Sequence, residues 1–225
     1  MDYRILGPLL VSREGGPVAL GGRRNRELLS VLLLRANEVV SSDRLVEALW
    51  SGAAPDNPRK AVHVYVCRLR KTLGDDVLET RTPGYVLHVE KGQLDVWRFE
   101  HLAARGRRAL GAGDPARATT SFRHALALWR GPALADVMYE PFAQAEAARL
   151  EELRLCCVEG RVEADLALGR HAELVGELEA LIDRHCTRER PRGQLMVALY
   201  RSGRRLSHKS EPALRRKSRS YTNAF

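Results

Sequence analysis

The sequence predicts an α+β domain over residues 1–92 followed by an all-α domain over 93–205, and three observations predict it. Short apolar segments broken by Gly and Pro occupy the first twenty residues, the pattern of a small antiparallel sheet. Apolar residues then recur at helical spacing as far as Gly74, before a second β pattern at 77–89. From Asp95 onward the β signals vanish and the apolar spacing is helical. A chain of 225 residues is long enough for two domains, each burying a core of its own.

Taken in order, "YRILGPLLV" and "GPVALGG" flank the glycine turn in "SREGG" and make the first sheet. A helix over 23–36 follows, with Leu28, Leu29, Leu32 and Leu33 on one buried stripe. Ser42 is the expected N-cap of a second helix, with Asp43 in its first turn and Leu45, Val46, Leu49 and Trp50 buried. The segment "SGAAPD" breaks it. A third helix takes Asn57 as cap, Pro58 at its first position and Gly74 as its end. Two β segments around "TPG" come next, with Arg81 near the tip of the hairpin. A sheet, three helices and a terminal hairpin thus follow in this order.

Charge narrows the function, once its distribution is known. The net charge is +9, but residues 1–95 carry 14 basic and 12 acidic side chains, and 96–203 carry 16 and 15. The last 22 residues hold 7 basic and 1 acidic, so +6 of the excess lies there and the overall charge says little about a nucleic-acid surface. Local clustering says more. "NPRKAVHVYVCRLRKTLG", residues 57–74, has five Lys or Arg and no acid. On a helical wheel Val62, Val66, Leu69 and Leu73 form the core stripe. Lys60, Val64 and Lys71 lie opposite, flanked by His63, Cys67 and Arg68, while Arg59 and Arg70 sit nearer the core edge. An acid-free cationic face on the last helix of a helix-turn-helix suits the major groove of double-stranded DNA, where Arg takes guanine bidentately and Lys meets phosphate.

The all-α domain repeats. "DVWRFEHLAARGRRALGAG" places Val96, Phe99, Leu102, Gly106 and Leu110 on one face. "DPARATTSFRHALALW" takes Asp114 as cap and Pro115 first, with Ala118, Phe122, Ala125, Leu126 and Trp129 inward. "LALGRH" is echoed by "ALYRSGR", and 34 residues separate Gly169 from Gly203, the tetratricopeptide period. "GDPARATTSFRHAL" aligns without gaps on "GRHAELVGELEALI", setting Ala118 with Leu174, Phe122 with Leu178 and Leu126 with Ile182. Stacked helical hairpins are interaction or regulatory modules rather than catalytic ones.

"AVHVYVCRLRKTLG" followed by "VLETRTPGYVLHV" resembles the winged helix-turn-helix of OmpR/PhoB-type response regulators, over roughly residues 1–92. By that resemblance Arg68 reaches base edges, Lys60 and Lys71 meet phosphates, and Arg81 is the minor-groove residue of the wing. Cys67 departs from the pattern, being basic in some members. "GPALADVMYEPFAQAEAARLEELRL", with "ALGRHAELVGELEALI" and "RGQLMVALYRSGR", resembles the tetratricopeptide-like bacterial transcriptional activator domain. The two in this order resemble the Streptomyces antibiotic regulatory proteins (SARPs), over about residues 1–205. The resemblance implies an activator of a secondary-metabolite (antibiotic) gene cluster that binds direct repeats near the promoter as a homodimer or higher assembly and recruits RNA polymerase. It also implies a polymerase contact through the loop Ser51, Gly52, Ala53, Ala54, Pro55 and Asp56.

Other chemistry is missing from the pattern. There is no G-x-x-x-x-G-K-[ST], G-x-S-x-G or H-E-x-x-H, so no catalytic residues, cofactor or metal are expected and the chain reads as a non-enzyme. Cys67, Cys156, Cys157 and Cys186 lack zinc-ligand spacing and are expected to be reduced, mostly buried thiols. No apolar run is long enough for a membrane span and "MDYRILGPLLV" is no signal peptide, so a cytoplasmic protein is expected. After "YRSGR" the chain departs from the family: residues 206–225 are basic and Ser-rich, expected to be disordered and to leave the last repeat truncated. Leu195, Met196, Leu199 and Tyr200 are then expected to keep an uncovered face. The alternative function is a helical-repeat protein-interaction adaptor with an architectural winged domain.

Overall fold

The computed structural model describes residues 1–50, 52 and 54–203, and the chain gathers into two compact units. One comprises Met1–Arg105 with Ser121–Val158, the other Gly106–Thr120 with the chain from Glu159 onward. The expected tail, 206–225, lies outside the described residues, as do Ser51 and Ala53 of the loop.

In the first unit, β1 (Asp2–Arg4), β2 (Leu10–Arg13) and β3 (Gly16–Pro17) form an antiparallel sheet in that order, with Tyr3 opposite Val11 and Ser12 opposite Pro17. The apolar run at 3–11 is thus two strands and not one. The reason is hydrogen bonding: the Ile5 and Leu6 amides donate to the two carboxylate oxygens of buried Asp95, at 2.9 and 3.0 Å. Their carbonyls accept from the Leu134 and Arg130 amides, both at 2.8 Å, so the chain leaves the ladder before Gly7. Burial raises the Asp95 carboxyl above the usual carboxylate range, opposed by these two amides and by Arg130 and Arg98.

Three helices follow: α1 (Arg23–Leu34), α2 (Ser42–Leu49) and α3 (Pro58–Leu73). The expected stripe of α1 is buried throughout. Ser41, not Ser42, caps α2, its side chain accepting from the Arg44 amide at 3.2 Å. Leu45 and Leu49 are buried, while Val46 and Trp50 are only half-buried. Asn57 caps α3 by accepting from the Lys60 amide at 3.0 Å. Gly74 ends α3 with φ 110°, a conformation L side chains rarely adopt. Val62, Val66, Leu69 and Leu73 are all at most 2% exposed, each contributing about 1.5–3 kcal/mol by burial.

A second antiparallel sheet, in the order β4-β6-β5, joins β4 (Val40–Ser41) to the hairpin of β5 (Leu78–Arg81) and β6 (Gly84–Leu87). Gly84 is obligatory there. A Cβ at this position would lie 1.8 Å from the Val40 carbonyl oxygen, so no side chain allows β4 so close.

The helical remainder comprises α4 (Asp95–Gly111), α5 (Pro115–Leu126), α6 (Pro141–Ala167), α7 (His171–Arg184) and α8 (Arg190–Arg201). Within the first unit Phe99 meets Trp129 edge-on at 5.3 Å, and the 130–136 segment bonds to residues 5–9. In the second unit Val162, Leu166, Leu174, Val175, Leu178, Leu195, Ala198 and Leu199 share one core. Buried Asp165 takes Arg161 at 3.0 Å, Arg170 at 2.6 Å and the Thr119 hydroxyl at 3.2 Å. The helix ends share a turn: Gly113, Gly169 and Gly203 all have positive φ, and Asp114 and Arg170 each donate five residues back. Leu195 and Leu199 are buried, which corrects their expected exposure. Only Met196 and Tyr200 of that group are exposed, joined by Val197. The physical reason is helical phase: Leu195 and Leu199, four apart, point at α7. Of the four cysteines only Cys157 is buried; Cys67 and Cys156 are half-buried and Cys186 is exposed.

Candidate nucleic-acid interface

The site is the outer face of α3 and the β5–β6 hairpin beside it. Because the four aliphatic residues of α3 point inward, helical phase turns Lys60, His63, Val64, Arg68 and Lys71 outward, and all five are exposed. No ion pair engages Lys60, Arg68 or Lys71 among the described residues. Arg68 lies 5.8 Å from the Tyr65 ring, which itself sits 6.4 Å from Trp50, so its guanidinium is steadied by a ring on its own helix and not by an acid. Val64 is 40% exposed between these cations, an apolar side chain of the kind that meets a thymine methyl.

The two arginines at the core edge are occupied. Arg59 bonds Asp43 of α2 at 2.8 Å through Nε and at 2.6 Å through a terminal nitrogen. Arg70 donates to the Leu78 carbonyl at 2.7 Å and to the Thr80 hydroxyl at 2.6 Å, which ties α3 to the first strand of the hairpin. His63 is both exposed and engaged. Its Nδ1 is 3.5 Å from the Tyr85 hydroxyl on β6, and its Nε2 is 3.6 Å from the Cys67 thiol. Burial raises the Tyr85 phenol, with Arg70 opposing and Cys67 adding to the rise. The Ser42 amide and hydroxyl both donate to the Pro83 carbonyl, at 3.2 and 3.3 Å, anchoring the hairpin turn to α2.

Arg81 ends β5 at the exposed tip, 3.7 Å from Glu79 and 61% exposed. Glu79 also bonds His88 at 2.9 Å, and that bond, followed by Arg81, holds its carboxyl below the usual carboxylate range. An exposed pair of this kind contributes little and leaves Arg81 available. Gly52, Ala54, Pro55 and Asp56 of the α2–α3 loop are exposed. The structure therefore brings Lys60, His63, Val64, Arg68 and Lys71 onto one face, with Arg81 on the adjacent hairpin. Sequence reasoning missed the links that hold this face in place: Arg70 to the hairpin, Tyr85 to His63 and Arg59 to Asp43. The wheel position of Arg59 and Arg70 near the core edge was the available signal.

Residues 15–87 match the family described as "Transcriptional regulatory protein, C terminal", and residues 94–207 match "Bacterial transcriptional activator domain". The regulatory protein DnrI of Streptomyces peucetius is 40% identical, over 91% of this chain and 79% of DnrI. The chain belongs to the SARP family of transcriptional activators. A second SARP relative, the regulatory protein AfsR of Streptomyces griseus, is 41% identical over 91% of this chain, and this chain spans only 21% of its length. Among solved structures, Mycobacterium tuberculosis EmbR in complex with a low-affinity phosphopeptide superposes with a TM-score of 0.88 at 35% identity, covering 96% of this SARP chain and 58% of EmbR. The domains that this chain matches are accordingly those of transcriptional regulators, a winged-helix N-terminal domain followed by a helical activator domain. No helix among its described residues is long and apolar enough to cross a membrane.

Proposed function

We propose that this protein activates an antibiotic or other secondary-metabolite gene cluster by binding direct repeats near its promoter through the outer face of α3. Residues 1–92 are the DNA-binding domain and 93–205 the activator domain. The observation that carries the reading is the set of exposed cations, Lys60, Arg68 and Lys71, with no carboxylate on their helix and, among the described residues, none paired to them. Arg68 reads a base edge, Lys60 and Lys71 hold phosphates, His63 and Val64 line the contact, and Arg81 enters the minor groove. Two copies on adjacent repeats in the cytoplasm present the loop from Ser51 to Asp56 to RNA polymerase. The family of the chain supports the activator role, and the exposure of Gly52, Ala54, Pro55 and Asp56 supports the loop.

The test is affinity for random duplex and for the promoter of the adjoining gene cluster, measured against salt. Several phosphate contacts give a steep fall of affinity with salt on both, and tighter binding to the promoter. A flat salt response would overturn the reading in favour of an adaptor.

A further inference from the structure

The first unit holds a cavity of about 620 Å³ that the proposed DNA contacts do not use. Its walls come from three separate elements. Leu34 and Arg35 come from the end of α1, Arg44 and Glu47 from α2, Trp50 from the residue after α2, and Phe142 from the first turn of α6. The volume falls within the range of small-molecule sites. The lining pairs two aromatic side chains with charged groups at the rim, and the charges are not balanced. Arg44 is exposed and has no ionic partner among the described residues. Arg35 has only a loose pair with Glu38, at 3.6 Å between side chains that are 48% and 65% exposed. Among the described residues, Glu47 is the one carboxylate in the lining.

At the wall formed by α6 the capping residue is Glu140, whose carboxylate is already taken up by Arg23 at 2.6 Å. Trp50 is also held in place, with the Arg24 guanidinium 5.6 Å from its ring and Tyr65 6.4 Å on from it. Trp50 therefore lines the cavity as a side chain already ordered, so that contact with it costs little further ordering.

We infer that this cavity binds a small planar aromatic anion, its ring against Trp50 and Phe142 and its acidic group toward Arg44 and Arg35. The occupant is a small molecule because the two arginines and two rings converge on one cavity.

The probe is anilinonaphthalene sulfonate, whose planar naphthalene ring carries the sulfonate, titrated into the whole chain without DNA, so that the outcome is separate from the DNA reading. One saturable site is expected. Arg44→Gln should weaken it about tenfold through loss of a charge-assisted contact, and Phe142→Ala should abolish it. Phenylnaphthylamine, the uncharged analogue, should bind at least about tenfold more weakly than the sulfonate. Because Phe142→Ala could loosen the fold, Arg44→Gln, an exposed change, carries the test if the alanine variant melts early. Unsaturable binding, equal affinity for the uncharged analogue, or binding untouched by Arg44→Gln would overturn the inference. The last result would place the dye elsewhere, such as on the exposed Met196, Val197 and Tyr200 of α8.

Discussion

Two basic stretches of this chain behave in opposite ways. α1 opens with Arg23, Arg24, Asn25 and Arg26, while α3 carries Arg59, Lys60, Arg68, Arg70 and Lys71. In α1 every arginine is taken up by the protein itself. Arg23 bonds Glu27 at 2.5 Å and Glu140 at 2.6 Å. Arg24 bonds Glu27 at 2.7 Å and also the Leu49 carbonyl. Arg26 bonds the Leu9 carbonyl at 2.7 Å and pairs with Asp136. In α3 only the two arginines at the core edge are so engaged, and the outward Lys60, Arg68 and Lys71 have no acid. Basic sequence therefore marks a nucleic-acid surface only where the fold supplies no partner for it.

The comparison is most directly broken by removing an acid that the inner cations need. Asp136→Ala should cost about 3 kcal/mol of folding stability, because the Leu9 amide at 2.9 Å and the Arg26 guanidinium lose one acceptor together. Denaturant unfolding measures this, and a variant as stable as the parent would show that the α1 cluster is no structural device. Next in size, Arg68→Ala should cost about 1–3 kcal/mol on the preferred site, relax sequence preference there and leave the unfolding midpoint in place. Competition binding against random duplex separates this from a phosphate role, in which both DNAs lose alike. Lys71→Ala should weaken all sequences together and reduce the salt slope by about 1.

Two smaller effects sharpen the contrast. Arg23→Ala, although it removes a positive charge, should leave the salt slope of DNA binding unchanged, since that charge already faces Glu27 and Glu140. A slope as reduced as that of Lys71→Ala would erase the distinction between the two stretches. At the hairpin, Glu79 has a folded pKa held below its unfolded value by His88 and Arg81. Its contribution is thus present at neutral pH and is lost as pH falls through the folded value, below the usual carboxylate range. An NMR titration of Glu79 should show this depressed midpoint, and His88→Ala should move it upward.

Much of the site was legible because a helix has a fixed period. The inward phase of Val62, Val66, Leu69 and Leu73 left Lys60, His63, Val64, Arg68 and Lys71 no other side to occupy. Caps were nearly as readable, with Asn57 found as expected and Ser41 taking the place of Ser42 one residue earlier. Assigning one face to a whole apolar cluster ignored phase: Leu195 and Leu199 are core while Met196 and Tyr200 are not. Trp50 was placed in the core of α2 but lies half-buried at the wall of a cavity closed in part by Phe142, 92 residues away.

The sequence by itself determined the element order, the core stripe of α3 and the absence of acids from its outer face, because these depend on local periodicity and composition. Only the tertiary structure decided which cations remain for a partner. Asp136 and Glu140 reach Arg26 and Arg23 across separations of 110 and 117 residues, and Arg70 closes on the hairpin rather than on solvent. It also decided that residues 121–158 pack in one unit with the first 105, through bonds from Arg130, Leu134 and Asp136 to a strand exit that carries no local mark of them. The physical reason is that side-chain phase follows from neighbours three or four residues apart, whereas an ion pair depends on which distant segments the whole fold brings within about 4 Å.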